Sequence, residues 1–283
     1  MNDSAQFAPA ARTWKVTLAY DGTDFAGWQI QPGQLTIQGT LQSALSRITG
    51  ESPLPQGSGR TDAGVHALAQ VASFALNAPI PPASLLHALN RILPCSIRVL
   101  DAQIVDNGFH ARHSAVAKTY EYRVYLEKSA AGSFACPPFL ARYVYAYPWP
   151  LDLDALRESA AHLVGEHDFV SFAATDPDLA ARAFSTSHDT ARLANTPAPT
   201  AVRTIYSSGW EREPIAAGEL LVYRVRGDGF LHHMVRNLVG TMLDVGRGYR
   251  PASDIPAILA AHRRSAAGPT APARGLFLHS VEY

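Results

Sequence analysis

The feature that most constrains the fold is a strand pattern followed by a helix pattern, found in both halves of the chain. The first strand is marked by apolar residues at every second position, namely Trp14, Val16, Leu18 and Tyr20. A helical pattern follows, with Thr36 as its N-cap and Gly50 as its stop. Because strands and helices recur in this way along the chain, the sequence predicts an α+β fold.

Further segments carry the same two patterns. Helices are predicted over Pro82 to Leu93, from Asp152 to Gly165 and over Met234 to Val245. Strands are predicted over Ile97 to Leu100, Thr119 to Leu126, Leu220 to Arg226 and Gly275 to Tyr283. The last of these predicts that the end of the chain is tied into a sheet.

One stretch departs from these patterns. Residues 173–200 are rich in Ala, Thr, Ser, Asp and Pro, with Pro177, Pro197 and Pro199 interrupting any long regular element. The composition predicts a surface insertion.

Composition restricts the class of protein. A chain of 283 residues, 47% of them hydrophobic, can bury a sizeable core. It contains no apolar run near the roughly 20 residues that cross a bilayer, and residues 1–12 lack the order of a signal peptide, so a cytoplasmic protein is expected. Cys95 and Cys136 belong to no paired motif, and no metal site is expected.

Charge leaves the partner open. The formal net charge of zero argues weakly against a nucleic-acid partner. The cations are nearly all arginines, which suit bidentate phosphate contacts and stacking on bases, although a solvated surface explains any single one equally well. The arginines of interest are Arg112, Arg123, Arg224, Arg226, Arg236, Arg247 and Arg250.

The segment Gly59 to Ala67, with the sequence GRTDAGVHA, holds the strongest candidate for chemistry. Small residues flank the carboxylate of Asp62 and the guanidinium of Arg60, so that a ligand can approach the backbone closely. An aspartate on such a loop is placed as a catalytic group should be. Asp beside Gly is also common in turns without any chemistry, and the residues alone leave both interpretations open.

The whole string closely resembles the signature loop of the A-type tRNA pseudouridine(38–40) synthases, in which the aspartate is the essential residue. Other blocks match this family in the same order. They are Tyr20 to Thr23, Gly27 to Gln29, Thr36 to Gln38, Leu89 to Pro94, Phe109 to Arg112, Lys118 to Tyr122, Gly165 to Phe169, Gly229 to Asn237 and Gly275 to Leu278. The departure is the stretch 173–200, after which a serine-proline-x-arginine element is degraded to PTAVR, placing local RNA contacts in doubt.

The resemblance implies a fold and an activity. Two ferredoxin-like halves, here expected at residues 1–112 and 113–283, would join in one central, mostly antiparallel sheet flanked by helices. The activity would be isomerisation of uridines 38, 39 and 40 in the anticodon stem-loop of tRNA to pseudouridine. The resemblance also implies a homodimer and no cofactor.

The resemblance implies a role for each matched site residue. Asp62 would be the catalytic carboxylate, and Arg236 would pair with it and keep it charged. Tyr120 would stack on the target base and serve as a late general base, although a core aromatic is the plain alternative. Arg60 would help to flip the nucleotide out of its stack, and Leu278 would pack near the uracil unless it is simply a core residue.

Two other functions compete with this one. A non-catalytic RNA-binding protein of the same fold would read single strands on aromatic sheet faces. An aspartic hydrolase would need a second carboxylate in a comparable string, and the sequence has none.

Overall fold

The structure of the protein is a computed structural model that describes residues 11–126, 136–174, 200–215 and 218–283. The chain divides into two compact units, of which the first contains Met1–Glu121 and Ala273–Tyr283 and the second contains Tyr122–Pro272. The predicted division into residues 1–112 and 113–283 stays a prediction. The insertion predicted over residues 173–200 lies outside the described residues except for positions 173, 174 and 200.

Strands and helices are numbered here along the described chain. The strands are β1 (Arg12–Tyr20), β2 (Gln56–Gly57), β3 (His66–Leu76), β4 (Ile97–Val105), β5 (Ala117–Leu126), β6 (Tyr145–Ala146), β7 (Gly165–Asp168), β8 (Val202–Ile215), β9 (Gly218–Gly227) and β10 (Leu276–Glu282). The α-helices are α1 (Ile37–Thr49), α2 (Pro82–Ile92), α3 (Pro138–Ala141), α4 (Leu153–Ala161), α5 (Met234–Gly246) and α6 (Asp254–Ala260).

The sheet of the first unit has the strand order β4-β1-β3-β10. Strand β1 pairs antiparallel with β3 and with β4, so that Trp14 lies opposite Phe74 on one side and Ile104 on the other. Strand β10 pairs parallel with the start of β3 at His66 and Ala67. Strand β2 pairs antiparallel with a later part of β3, at Ala72 and Ser73. The four alternating apolar residues of β1 are all buried, which confirms the predicted strand and its buried face.

The helices of the first unit begin and end where their capping residues predict. The Oγ1 atom of Thr36 accepts a hydrogen bond from the backbone N–H of Gly39 at 3.2 Å, and Gly50 ends α1 with a φ of 75°. Helix α2 begins at Pro82 and ends at Ile92, shortly before Pro94. Both predicted helices are confirmed, and α2 packs on β4.

In the second unit, β8 pairs antiparallel with β9 over most of its length, and β7 pairs antiparallel with β8. Asp152 caps α4 as predicted, because its Oδ1 atom accepts from two backbone N–H groups. The predicted end of this helix at Gly165 is wrong. The helix ends at Ala161, and Gly165, at a φ of 112°, instead starts β7 by pairing with Ile205.

Helix α5 matches the predicted helix from Met234 to Val245, one residue longer at its end. It is buried along most of its length and packs against α4. The predicted α+β class, with a mostly antiparallel sheet and flanking helices, is confirmed. In the parts of the chain that the structure describes, no helix has the length and apolar character needed to cross a membrane.

Candidate active site

Residues 58–65 form the loop between β2 and β3, and this loop carries Asp62. The segment after β1 holds the loop in place through backbone hydrogen bonds. The N–H of Trp28 donates to the carbonyl of Thr61 at 2.9 Å, and the N–H of Gly64 donates to the carbonyl of Phe25 at 3.3 Å. The position of Asp62 is therefore fixed by the segment after β1 as well as by strands β2 and β3 at the two ends of the loop.

Two glycines allow this close approach of backbone to backbone. A Cβ atom on Gly27, which has a φ of 91°, would lie 2.5 Å from the carbonyl oxygen of Thr61. A Cβ atom on Gly22 would lie 2.0 Å from the carbonyl oxygen of Val65. Both contacts involve backbone atoms that cannot rotate away, so a side chain at either glycine would displace the loop.

We expect Gly22→Ala to lower both stability and activity. The new methyl group must push Val65 and the end of the loop away, at a cost of about 1–3 kcal/mol in the free energy of unfolding. Denaturant unfolding and a turnover assay would measure the two effects. Gly108→Ala is the matched control, because a Cβ atom there meets nothing within 4 Å. Equal stability and equal turnover of the two variants would contradict the proposed close packing of the loop.

The backbone makes a β-turn at Asp62 itself. The N–H of Val65 donates to the carbonyl of Asp62 at 3.1 Å, and Gly64 has a φ of 76°, as the third residue of a type II turn requires. Asp62 is half-buried at the start of this turn. The turn interpretation of the sequence is thus correct for the backbone, and the turn uses only the backbone carbonyl of Asp62.

A buried polar network holds the loop by hydrogen bonds, with Gln70 of β3 at its centre. The Nε2 atom of Gln70 donates to the carbonyl of Gly59 at 2.9 Å, and its Oε1 atom accepts from the hydroxyl of Ser58 at 2.6 Å. The hydroxyl of Tyr20 lies 2.9 Å from that of Thr61, next to Asp62. Burial raises the pKa of Tyr20 to about 12, against the opposing effect of its hydrogen bonds with Thr61 and Gln70.

The sequence patterns do not predict this network. Neither strand nor helix spacing singles out Thr61 or Gln70, so periodicity carries no signal for their roles. An available signal was the glutamine itself, because Gln70 interrupts a mostly apolar run from Ala67 to Leu76. The structure shows that it is fully buried, which is uncommon for glutamine. A buried amide inside a strand indicates a polar network around it.

Tyr120 of β5 lies beside the same loop. It is 8% exposed, and a Cβ atom on Gly59 would lie 3.7 Å from its hydroxyl oxygen. Burial raises the pKa of Tyr120 well above its usual value, with further contributions from Tyr20 and from the charge of Asp62. The hydroxyl is therefore protonated at neutral pH and is suited to donate a hydrogen bond rather than to accept a proton.

The other two predicted residues of this unit differ in exposure. Arg60 is exposed on the loop, two residues before Asp62. Leu278 is fully buried in β10, where it pairs with Ala67 at the start of β3. The structure therefore brings Leu278 next to the strand that follows the loop, and its predicted contact with the uracil stays a prediction.

Arg236 belongs to the second unit, in the first turn of α5. The preceding cap residue, His233, has a φ of 58°, which is uncommon for a residue other than glycine. The Nε atom of Arg236 donates to the carbonyl of Ala271 at 2.8 Å. A cation in the first turn is unfavourable to the helix dipole, so the half-buried Arg236 is not explained by helix stability. Its predicted pairing with Asp62 stays a prediction.

Comparisons with known proteins place these features in a family. A family profile described as tRNA pseudouridine synthase matches residues 17–114 and 180–283. The chain is 48% identical over 273 residues to tRNA pseudouridine synthase A of Solibacter usitatus, covering 96% of this chain and 100% of the relative. It is 43% identical over 274 residues to the protein of that name from Anoxybacillus flavithermus, covering 96% of this chain and 99% of the relative. The chain belongs to the tRNA pseudouridine synthase family.

Proposed function

We propose that this protein isomerises uridines 38, 39 and 40 in the anticodon stem-loop of tRNA to pseudouridine, with Asp62 as the catalytic carboxylate. The observation that carries this proposal is the fixed position of Asp62, which starts a β-turn on a loop held by Trp28, Phe25 and Gln70. Family membership and the names of the relatives support an isomerase that acts on tRNA. A carboxylate held in this way acts without waiting for the loop to reorganise.

The reaction needs no redox step and no energy source. The bond from N1 of the uracil to C1′ of the ribose breaks, the base turns, and a bond from C5 to C1′ forms. The proton on C5 is then lost while N1 gains one. Asp62 is proposed to attack C1′ or to stabilise its positive charge, as the nucleophile of a retaining glycosidase does.

Tyr120 is proposed to stack on the target uracil and to donate a hydrogen bond from its neutral hydroxyl. The stacking role uses the ring, and the hydroxyl role depends on the protonated state that burial favours. To serve as the general base that the family resemblance implies, the hydroxyl would first have to lose its proton to another group. The sequence could not reveal this, since it depends on the burial of the side chain.

We expect Tyr120→Phe to lower kcat by about 100-fold, the usual effect of removing one hydrogen-bond donor to a charge that develops in the reaction, while tRNA affinity changes little because the ring is kept. The ratio of the wild-type rate to the variant rate should stay constant between about pH 7 and 9, because the raised pKa keeps the wild-type hydroxyl protonated over this range. Single-turnover rates at several pH values test this. A ratio that climbs steeply with pH would show that the wild-type enzyme uses the ionised phenolate.

The remaining residues are proposed to act on the RNA. Arg60 is exposed on the catalytic loop and would enter the stack as the target nucleotide leaves it. Leu278 would pack near the flipped uracil. Arg236 would supply the positive charge that keeps the catalytic carboxylate ionised in a site that excludes water.

The protein is proposed to work as a homodimer in the cytoplasm, on tRNA and without a cofactor. The dimer is tested by sedimentation or light scattering with and without tRNA. A monomer in both conditions would contradict the dimer and leave the proposed reaction untouched.

Tritium release tests the proposed function directly. In tRNA labelled with tritium at C5 of uridine, isomerisation liberates the label, whereas binding alone does not. We expect stoichiometric release, with pseudouridine mapped to positions 38, 39 and 40. Tight tRNA binding without release would favour the alternative of a non-catalytic RNA-binding protein.

A further inference from the structure

The amide of Asn237, next to Arg236 in α5, is the centre of a second buried polar network. Asn237 is fully buried, and its Nδ2 atom donates to the carbonyl of Phe172 at 2.7 Å. Its Oδ1 atom accepts from the hydroxyl of Thr270 at 2.6 Å and from Nη2 of Arg264 at 3.0 Å. The side chain thus joins the helix to residues that follow α6.

Residues 264–272 form one segment, and the guanidinium of Arg264 makes hydrogen bonds with later residues of the same segment. The Nη1 atom of Arg264 donates to the carbonyl of Gly268 at 2.8 Å, and its Nη2 atom donates to the hydroxyl of Thr270 at 3.1 Å. At the far end, the hydroxyl of Tyr122 donates to the carbonyl of Pro272 at 2.8 Å. Segment 264–272 is held along its length although most of it has no regular secondary structure.

The segment also lies unusually close to the helix. A Cβ atom on Gly240 would lie 1.7 Å from the carbonyl oxygen of Pro269, so only glycine is compatible with this approach. The N–H of Gly268 donates to the hydroxyl of Thr241 at 2.8 Å, and that hydroxyl donates to the carbonyl of Asn237 at 2.7 Å. The close packing and the hydrogen bonds together fix the position of segment 264–272 on α5.

Segment 264–272 also exchanges two hydrogen bonds with Arg236, both of them through Ala271. The N–H of Ala271 donates to the carbonyl of Arg236 at 3.0 Å, and Nε of Arg236 donates to the carbonyl of Ala271 at 2.8 Å. The second bond fixes the plane of the guanidinium, because the group is rigid from Nε outward. The residue before Ala271, Thr270, is held by hydrogen bonds with Asn237 and Arg264.

We propose that Asn237 and Arg264 are positioning residues for the isomerisation, acting by holding segment 264–272 so that the carbonyl of Ala271 orients the guanidinium of Arg236. This inference rests on the proposed function, in which Arg236 is a catalytic residue. Neither positioning residue needs to touch the tRNA. A misplacement of about 1 Å in a catalytic group can cost about 100-fold in rate, which sets the expected size of the effect.

The main test is Arg264→Met, which keeps an unbranched apolar side chain at this position and removes all the hydrogen bonds of the guanidinium to the segment. We expect kcat for tritium release to fall by about 100-fold with little change in tRNA affinity. In an Arg236→Met background, the same change should lower the rate no further, because the residue through which it acts is gone. Thr270→Val, which removes only the hydroxyl that bonds to Asn237 and Arg264, should give a smaller loss in the same direction even if Arg264→Met folds poorly.

Arg263→Met is the matched control, since it removes the same charge from the neighbouring, exposed position and should leave kcat unchanged. A second readout does not depend on turnover. In protein labelled with nitrogen-15 arginine, the Nε–H signal of Arg236, assigned by its loss in Arg236→Met, should exchange slowly with solvent. We expect Arg264→Met to remove that protection.

Three results would overturn the positioning role: losses that add fully in the double variant, an Nε–H signal unchanged by Arg264→Met, or an equal loss in Arg263→Met. A wild-type protein that releases no tritium would instead overturn the proposed function. The exchange measurement would then still decide whether the segment orients Arg236.

Discussion

Replacing Asp62 by Asn is expected to abolish pseudouridine formation, with a rate loss on the order of 10⁴-fold or more, as for the removal of other catalytic carboxylates. Asn keeps the size of the side chain but carries no negative charge, so it can neither attack C1′ nor stabilise a positive charge there. The β-turn at this position uses the carbonyl of residue 62 and the N–H of Val65, both of which the substitution keeps. Loss of activity in a variant with wild-type stability towards denaturant would therefore report on chemistry and not on the loop.

The measurements for Asp62→Asn are single-turnover tritium release and tRNA affinity. Affinity should change little, because the carboxylate acts on the sugar and not on phosphates. Asp106→Asn, which neutralises an exposed carboxylate outside the catalytic loop, serves as the control and should keep wild-type turnover. Turnover of Asp62→Asn near the wild-type rate would remove the assignment of Asp62 as the catalytic group.

The fold was predictable where capping and periodicity coincide. Thr36 and Gly50 bound α1 because a hydroxyl and a left-handed glycine satisfy the free backbone groups at its two ends. The end of α4 was not predictable, since Gly165 resembles a helix stop and yet is used as the first residue of a strand. Whether a glycine ends a helix or begins a strand depends on the partner strand, which here is β8, distant in sequence.

The candidate site was predictable only in part, for a related reason. The matched motif makes Asp62 the candidate for catalysis because reactive groups are restricted to few residue types. The residues that support a motif are chosen by packing instead, so no sequence pattern assigns a role to Gln70, which bonds to the loop of Asp62, or to Asn237, although Asn237 ends the matched block Gly229 to Asn237. Both are buried amides that join segments far apart in sequence, and such contacts appear only once the chain is folded.

The second large effect is expected for Arg236→Met, which should lower kcat by orders of magnitude. Methionine keeps much of the bulk of the side chain but removes the cation and the bond to the carbonyl of Ala271. The protein should remain folded, because the first turn of a helix loses an unfavourable cation and Met is a good helix former. The rate loss would therefore follow from the missing charge.

Salt separates the two roles that Arg236 can play. A phosphate-binding arginine contributes through counterion release, so its removal would weaken tRNA binding and flatten the dependence of affinity on salt. Such a defect would be relieved at low salt, where the remaining contacts are stronger. A catalytic Arg236 predicts instead a rate loss at saturating tRNA that low salt does not restore, with the salt dependence of binding unchanged.

Single-turnover rates and affinities of Arg236→Met and of the exposed control Arg263→Met, measured across a salt series, distinguish these outcomes. Recovery of the Arg236→Met rate at low salt would assign Arg236 to the binding of phosphates and not to catalysis.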